Sequence, residues 1–186
     1  MLTYSSCKKD GPCPPTVTWQ GQTYNTVLIG DQCWFKENLN YATGNSWCYD
    51  NDHAKCATYG RLYDWETALG VCPSGWHIPT DVEWTTLTNY LGGESVAGGK
   101  MKEAGYAHWL SPNTGATNTS GFTALPGGYR SYHGYFYNLT EKANFWSSTE
   151  STSAGAWYQY LFYDHDDVYR YSYSKTSGGS ARCLKD

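Results

Sequence analysis

The sequence predicts an α+β fold stapled by disulfides, with two helices beside a small twisted antiparallel sheet, and three observations carry that prediction. Two stretches in the first half have helical spacing and clear end signals, whereas every patterned stretch after Gly121 reads as short strands, the order of an α+β fold rather than of alternating α/β units. The composition, with 9 Trp, 18 Tyr and 20 Gly against 2 Met, fits a loop-rich body with an aromatic core and not a helical bundle or a disordered chain. Seven cysteines without a Cys-x-x-Cys pair point to disulfides formed in an oxidising compartment rather than to a zinc site. At 186 residues the chain has room for one substantial core, so one domain is expected.

The segments follow in order. Small residues precede Cys7 in Thr3-Tyr4-Ser5-Ser6-Cys7, which is similar to the end of a bacterial lipoprotein signal, and lipidation of Cys7 would account for the odd cysteine. The apolar stretch of such a signal does not precede it, so the expectation is a chain trimmed from a longer precursor. Residues 1–16 are then signal remnant and polar, proline-rich tether, and residues 17–186 the folded domain. The implied location is the outer membrane, as a cell-surface lipoprotein that meets the membrane only through its lipid.

The stretch from Thr16 to Asn40 reads as strands: Val17-Thr18-Trp19, a turn at Gln20-Gly21, Tyr24 to Ile29, a Gly30-Asp31 turn and Cys33-Trp34-Phe35. Arg61 to Leu69 places Leu62, Trp65 and Leu69 on one helical face and stops at Gly70. A second helix opens on Thr80-Asp81-Val82-Glu83, a capping box in which the Thr80 hydroxyl and the Glu83 carboxylate each satisfy an orphaned backbone N–H, and runs through Trp84, Leu87 and Leu91 to Gly92-Gly93. Beyond Gly121 the strand-like runs are 145–148, 156–163, 168–173 and 180–184, separated by polar turns.

Function classes can be narrowed from the same residues. A net charge of -4 with scattered Lys and Arg gives no attraction for polyphosphate, so nucleic acid is not an expected partner. No Gly-x-Ser-x-Gly or His-Glu-x-x-His motif occurs, and His77, between large apolar residues and before a helix cap, reads as a hydrogen-bonded structural histidine. An enzyme is not expected, nor a cofactor. Ten of the 18 tyrosines lie between 129 and 173, mixed with Ser, Asp, Asn and His, and this run is amphipathic at nearly every position, which core packing alone does not explain. Tyrosine with small polar residues is the palette of antibody loops, so a recognition surface is the natural reading.

Several segments together resemble one family: Val27-Leu28-Ile29-Gly30-Asp31-Gln32-Cys33-Trp34 with Glu37-Asn38-Leu39, Tyr59-Gly60-Arg61-Leu62-Tyr63-Asp64-Trp65, Cys72-Pro73-Ser74-Gly75-Trp76-His77-Ile78-Pro79, Gly121-Phe122, Leu125-Pro126-Gly127-Gly128-Tyr129-Arg130, Phe145-Trp146-Ser147-Ser148-Thr149-Glu150 and Ala181-Arg182-Cys183. They look like the Fibrobacter succinogenes major paralogous domain of secreted and lipid-anchored bacterial proteins, over residues 17–186. The resemblance implies a C-type-lectin-like fold, as in formylglycine-generating enzymes and in the variable proteins of diversity-generating retroelements. By the same resemblance the cysteines would pair as Cys72–Cys183, Cys48–Cys56 and Cys13–Cys33, one choice among the fifteen that six cysteines allow.

Diversity-generating retroelements randomise adenines in a C-terminal segment, and Tyr, Asp, His, Ser and Asn are all reached from an AAC or AAT codon by changing adenines alone. On that footing the variable, ligand-binding positions within a region of about 129–174 are Ser131, Tyr132, His133, Tyr135, Tyr137, Asn138, Tyr158, Tyr160, Tyr163, Asp164, His165, Asp166, Asp167, Tyr169, Tyr171, Ser172, Tyr173 and Ser174. Trp146, Trp157, Leu161, Val168 and Cys183 would be fixed scaffold. Trp65, Trp84, Trp146 and Trp157 are therefore expected to be buried, and Tyr160, Tyr171 and Tyr173 exposed. The paired ligand triplets of calcium-dependent lectins are absent, and Asp164-His165-Asp166-Asp167 reads as a solvated loop, so no metal site is expected. The leading functional expectation is a surface-displayed variable protein that binds a protein or glycan on another cell, a phage or a host. A carbohydrate-binding adhesin without diversification, or a structural surface-assembly subunit, are the alternatives.

Overall fold

The computed structural model describes residues 13–186, and the lipidation expected at Cys7 and residues 1–12 of the tether lie outside the described residues. In chain order the elements are β1 (Thr16–Trp19), β2 (Gln22–Ile29), β3 (Gln32–Phe35), β4 (Ser46–Trp47), α1 (His53–Tyr59), β5 (Leu62–Tyr63), α2 (Trp65–Ala68), β6 (Trp76–His77), α3 (Asp81–Tyr90), α4 (Glu94–Met101), β7 (Gly127–Arg130), β8 (Phe136–Leu139), β9 (Lys142–Thr152), β10 (Gly155–Phe162), β11 (Tyr169–Ser174), β12 (Gly179–Ser180) and β13 (Leu184–Lys185). One sheet has the order β1-β2-β3-β13-β6 and a second β11-β10-β9-β12-β5-β4, with β7 and β8 as a separate hairpin. Pairing is antiparallel throughout these strands except where β12 meets β9. Helices and sheet coexist as expected, but in a more interleaved arrangement than helices first and sheet afterwards.

The N-terminal strands and α3 lie where the sequence puts them. The Thr80 side chain accepts from the Glu83 N–H and the Glu83 carboxylate from the Thr80 N–H, and the helix buries Trp84 and Leu87. The helix expected over Arg61–Leu69 is corrected: Leu62 and Tyr63 form β5, paired on both sides by β12 and β4, and the helix starts only at Trp65. Asp64 causes the break, because its side chain caps the new helix by accepting from the Thr67 N–H. Two further helices, α1 and α4, were not foreseen. The first is too short for a periodicity to show, although Asp52 caps it at one end and Gly60 stops it at the other. The second carries Gly98-Gly99, poor helix formers that are needed because a Cβ at Gly98 would lie 2.2 Å from Asp167 O and one at Gly99 2.4 Å from Gly115 O.

Two buried clusters hold the sheets and helices together. Trp84, Leu87 and Leu91 of α3 and its end pack with Phe145, Leu161, Trp34 and Phe122, and on the other side Trp146 and Tyr158 pack with Trp65, Tyr63, Phe35 and Ala181. Buried indoles also donate across the chain: Trp65 Nε1 to Ser147 O at 2.8 Å, Trp84 Nε1 to Trp146 O at 3.3 Å and Trp146 Nε1 to Tyr63 O at 2.7 Å. A buried Trp that keeps its N–H bonded loses none of its large apolar contribution to an orphaned donor. Arg182 is fully buried and satisfied in the same way, donating to Asn38 Oδ1 at 2.6 and 3.1 Å and to Phe122 O at 2.6 Å. Burial pulls the Arg182 pKa down to about 9, against the opposing charge of Glu37. Three of the family-like segments, those containing Asn38, Phe122 and Arg182, thus meet in one hydrogen-bonded knot.

The disulfides are Cys13–Cys33, Cys48–Cys56 and Cys72–Cys183, the pairing the resemblance implied. The last spans 111 residues of chain. Closing a loop of that length removes unfolded-state entropy equivalent to about 4–5 kcal/mol. Among the described residues no helix is long and apolar enough to cross a membrane.

Candidate functional site

Strand alternation sorts the C-terminal residues into two faces. In the antiparallel register Tyr158 lies opposite Trp146 on β9 and Tyr171 on β11, and Tyr160 opposite Asn144 and Tyr169. Cross-strand partners point to the same side, so these residues share one face, while Phe145, Gln159, Leu161 and Arg170 alternate to the other. The second face packs on α3, where Gln159 Nε2 and Arg170 Nε donate to Asp81 Oδ1 at 3.2 and 2.7 Å.

On the first face the tyrosine rings form two groups, bridged by Lys142. Tyr160 stacks on Tyr169 with centroids 4.9 Å apart, Tyr158 contacts Tyr173 at 5.0 Å, and Tyr173 contacts Tyr171 at 5.8 Å. The β7–β8 hairpin extends the Tyr173 group, because Tyr129 reaches Tyr173 at 5.5 Å and stacks on Tyr137 at 5.5 Å. Asn144 Nδ2 ties the hairpin down by donating to Gly128 O at 3.0 Å. In the midst of these rings stands Lys142, its Nζ 3.6 Å from the Tyr160 centroid and 5.7 and 5.9 Å from those of Tyr129 and Tyr173. Lys142, Tyr160, Phe162, His165 and Tyr169 line a hollow of ≈ 300 Å³ that opens to solvent.

The electrostatics of this face follow from burial. It pushes the Lys142 ammonium down to about 8, with no carboxylate close enough to offset it. Burial also raises the hydroxyls of Tyr160 and Tyr173, the latter reinforced by its hydrogen bond with Tyr129, so they remain protonated donors well into the alkaline range.

The expected site residues fall into distinct groups. Tyr132, Tyr135, Tyr137 and Tyr171 are 62, 66, 45 and 60 % exposed, enough for each to offer a ring face to a partner. His133 beside Tyr132 and the turn residue Ser131 complete the hairpin tip, where the Ser131 N–H donates to Tyr135 O. Tyr160, Tyr169 and Tyr173 are half-buried, which corrects the expectation of open exposure for Tyr160 and Tyr173: they cover one another and Lys142. Tyr158 leaves the set altogether, since it is fully buried between Trp146 and Tyr173 with its hydroxyl against Gly179. Ser172 and Ser174 point to the opposite side of β11, where Ser172 Oγ lies 2.6 Å from Ser151 Oγ. Asn138, at φ 60°, shapes the β8–β9 turn and donates to Glu141.

The β10–β11 connection carrying Tyr163, Asp164, His165, Asp166 and Asp167 is not a freely solvated loop. The fully buried side chain of Lys102 donates to Thr114 O, Phe162 O and His165 O at 2.8, 3.0 and 2.7 Å, and Asp166 O accepts from the Gly99 N–H at 3.0 Å. Burial lowers the Lys102 pKa to about 8, while Asp166 and Asp164 pull it upward. The acidic side chains are half-buried, Asp164 being paired with His165 at 2.6 Å, and among the described residues no three His, Cys, Asp or Glu side chains converge as a metal cluster. Trp65, Trp84 and Trp146 are buried as expected. Trp157 is only half-buried, with the Arg170 guanidinium 3.2 Å above its ring in place of core packing.

Sequence reasoning missed Lys142, Tyr129 and Lys102. The strand read at Phe145–Ser148 extends back to Lys142, and carrying the two-residue alternation backward from Trp146 would have put Lys142 on the tyrosine face. Lys102 gave no local signal, because its partners come from segments 12 to 63 residues away. His77 is held between carboxylates, with Nε2 3.0 Å from Glu83 and Nδ1 2.6 Å from Asp186. The Glu83 hydrogen bond raises its pKa most, against burial and with help from Asp186. Burial would raise Glu83, but the bonds from His77 and Thr80 outweigh it and hold that carboxyl at about 2.

Comparison with known families gives one finding: residues 27–185 match the model of the Fibrobacter succinogenes major domain. No curated protein and no solved structure gives a significant match.

Proposed function

The chain belongs to the Fibrobacter succinogenes major domain family, and from that premise we propose that it is a ligand-binding protein displayed on a bacterial surface, not an enzyme. The observation that carries this reading is the gathering of Tyr129, Tyr137, Tyr160, Tyr169, Tyr171 and Tyr173 on one face around Lys142, which among the described residues has no acidic partner. Tyrosine supplies wide contact area with few rotatable bonds, and clustered aromatic anchors dominate binding energy. The scaffold beneath is tied together by the disulfides, the indole hydrogen bonds and the Arg182 knot, none of which uses the exposed tyrosines.

The proposal includes a C-type-lectin-like fold, for which the long Cys72–Cys183 bridge to the end of the domain speaks. It also includes display as an outer-membrane lipoprotein through Cys7, and diversification of the exposed tail residues by a retroelement. A template repeat beside the gene that matches the tail except at adenines is the expected genomic sign of diversification, and its absence together with that of a neighbouring reverse transcriptase would remove that part. The binding reading is tested with a printed array of glycans and cell-surface proteins, probed with wild type and with the variant Tyr132→Ser, Tyr135→Ser, Tyr137→Ser, Tyr171→Ser. Wild type is expected to retain a reproducible ligand class that the variant loses. No retained ligand, or equal retention by the variant, overturns it.

A further inference from the structure

We infer that the Lys142 hollow is an anion-reading subsite for an acidic sugar, one whose ring rests against the aromatic wall of Phe162 and Tyr169 while its carboxylate meets the Lys142 ammonium. This rests on the tyrosine face being the binding surface. Among the described residues Lys142 Nζ makes neither a hydrogen bond nor an ion pair, only contacts with the π faces of Tyr160, Tyr129 and Tyr173. Three other lysines set into the structure are satisfied by the protein itself: Lys102 donates to three carbonyls, Lys100 donates to Leu91 O at 2.7 Å, and Lys175 pairs with Glu150 at 2.7 Å.

An ammonium partly withdrawn from water, with ring faces but no hydrogen-bond acceptor from the protein around it, attracts an anion that reaches it through the open side of the hollow. The acids around the hollow are taken up elsewhere: Glu141 accepts from Asn138 Nδ2 at 2.5 Å, Asp164 pairs with His165 at 2.6 Å and Asp167 is hydrogen-bonded with Tyr169. The desolvation of Lys142, with no carboxylate to counter it, agrees with an unfilled anion position.

The walls decide what kind of anion fits. Tyr160 is covered on one face by Tyr169 and on the other by Lys142, so the free wall comes from Phe162 and the outer side of Tyr169 with the Tyr160 phenol at its border, and the hollow of ≈ 300 Å³ is at the small end for ligand pockets, the scale of a single ring rather than a folded peptide. A pyranose lays its C–H face on an aromatic ring and turns its hydroxyls outward to such donors. An acidic side chain on a protein would have to bring its backbone, with its own hydrogen-bonding groups, into an aromatic-walled space. A uronate or sialate therefore satisfies both the rings and the ammonium.

The test uses the whole chain and immobilised oligosaccharides ending in galactose, galacturonate or sialate, with Lys142→Met and Lys142→Arg beside wild type. Galactose and galacturonate differ only in an alcohol against a carboxylate. Wild type is expected to prefer the acidic ends, and Lys142→Met to lose on the order of 10- to 100-fold in affinity for them, the span of one hydrogen bond to a charged group. Lys142→Arg should restore part of that loss. Methionine keeps the apolar stem, so its melt should match or exceed wild type, and a folded Lys142→Met that still prefers galacturonate overturns the inference. Equal wild-type binding to galactose and galacturonate also overturns it while leaving the recognition reading intact, whereas indifference of all binding to the four-tyrosine variant removes that reading itself.

Discussion

The two faces of the β9–β10–β11 sheet are made by the same strands, yet they spend their side chains on different things. On the α3 side Phe145 and Leu161 are enclosed by Trp84 and Leu87, and the polar residues there, Gln159 and Arg170, close onto Asp81. On the other side the strands carry more aromatic residues, but only Trp146 and Tyr158, near β12, are sealed, and outward from them the rings are uncovered to Tyr171. Aromatic content therefore does not separate folding from recognition in this protein. Depth does, and depth changes along a strand as well as across it.

Breaking the sealed parts should be costly. Replacing Cys72 and Cys183 together by Ala is expected to lower stability by about 4–5 kcal/mol, measured by denaturant melts, and non-reducing peptide mapping of the wild type should recover Cys72 and Cys183 in one linked fragment. On the α3 side Phe145→Ala should lose about 3–5 kcal/mol, the range for emptying a buried aromatic site. Lys102→Met, which leaves three carbonyl oxygens without their donor, should cost about 3 kcal/mol and loosen the β10–β11 connection, readable as faster amide exchange at residues 163–168.

Tyr158 sharpens the comparison from the other direction. It lies on the tyrosine side, but its hydroxyl is buried without a hydrogen-bond partner. Tyr158→Ser should therefore destabilise like a core loss, whereas Tyr158→Phe should stabilise by about 1 kcal/mol, since an unpaired buried hydroxyl is removed and the ring kept. Paired melts of the two variants check this.

The smallest effect is expected at His77, beside the start of α3. Glu83, held at about 2, contributes stability that is present above its ordinary 4.5 and fades as pH falls toward 2. His77, raised above 6.5, contributes stability that is complete below 6.5 and lost as pH rises through its folded value. The difference in melting temperature between wild type and His77→Gln should thus be largest between pH 4.5 and 6.5 and shrink on either side.

Much of the scaffold was legible because its signals are local. The Thr80–Glu83 capping box, the Gln20-Gly21 and Gly30-Asp31 turns and the family-like motifs each mark an element within a few residues. The cysteine pairing came through the resemblance and not from spacing. What escaped depends on distant partners: Leu62-Tyr63 became a strand because β12 and β4 flank it, and α4 forms despite Gly98-Gly99 because loops lie against those glycines. The tyrosine face was legible as a composition but not as a surface. No local pattern told that Tyr158 is sealed while Tyr171 is open, or that Lys142 stands among them.

The central claim is that the open tyrosines serve contact and not folding, and a thermal melt of the variant Tyr132→Ser, Tyr135→Ser, Tyr137→Ser, Tyr171→Ser tests it most directly. The expected result is a transition that stays cooperative and moves by no more than about 2–4 °C, the shift that 1 kcal/mol produces in a domain of this size. Four core tyrosines would together cost more than the roughly 5–15 kcal/mol that holds a domain folded. A collapsed or lost transition would show that these side chains hold the domain together, and would contradict the account.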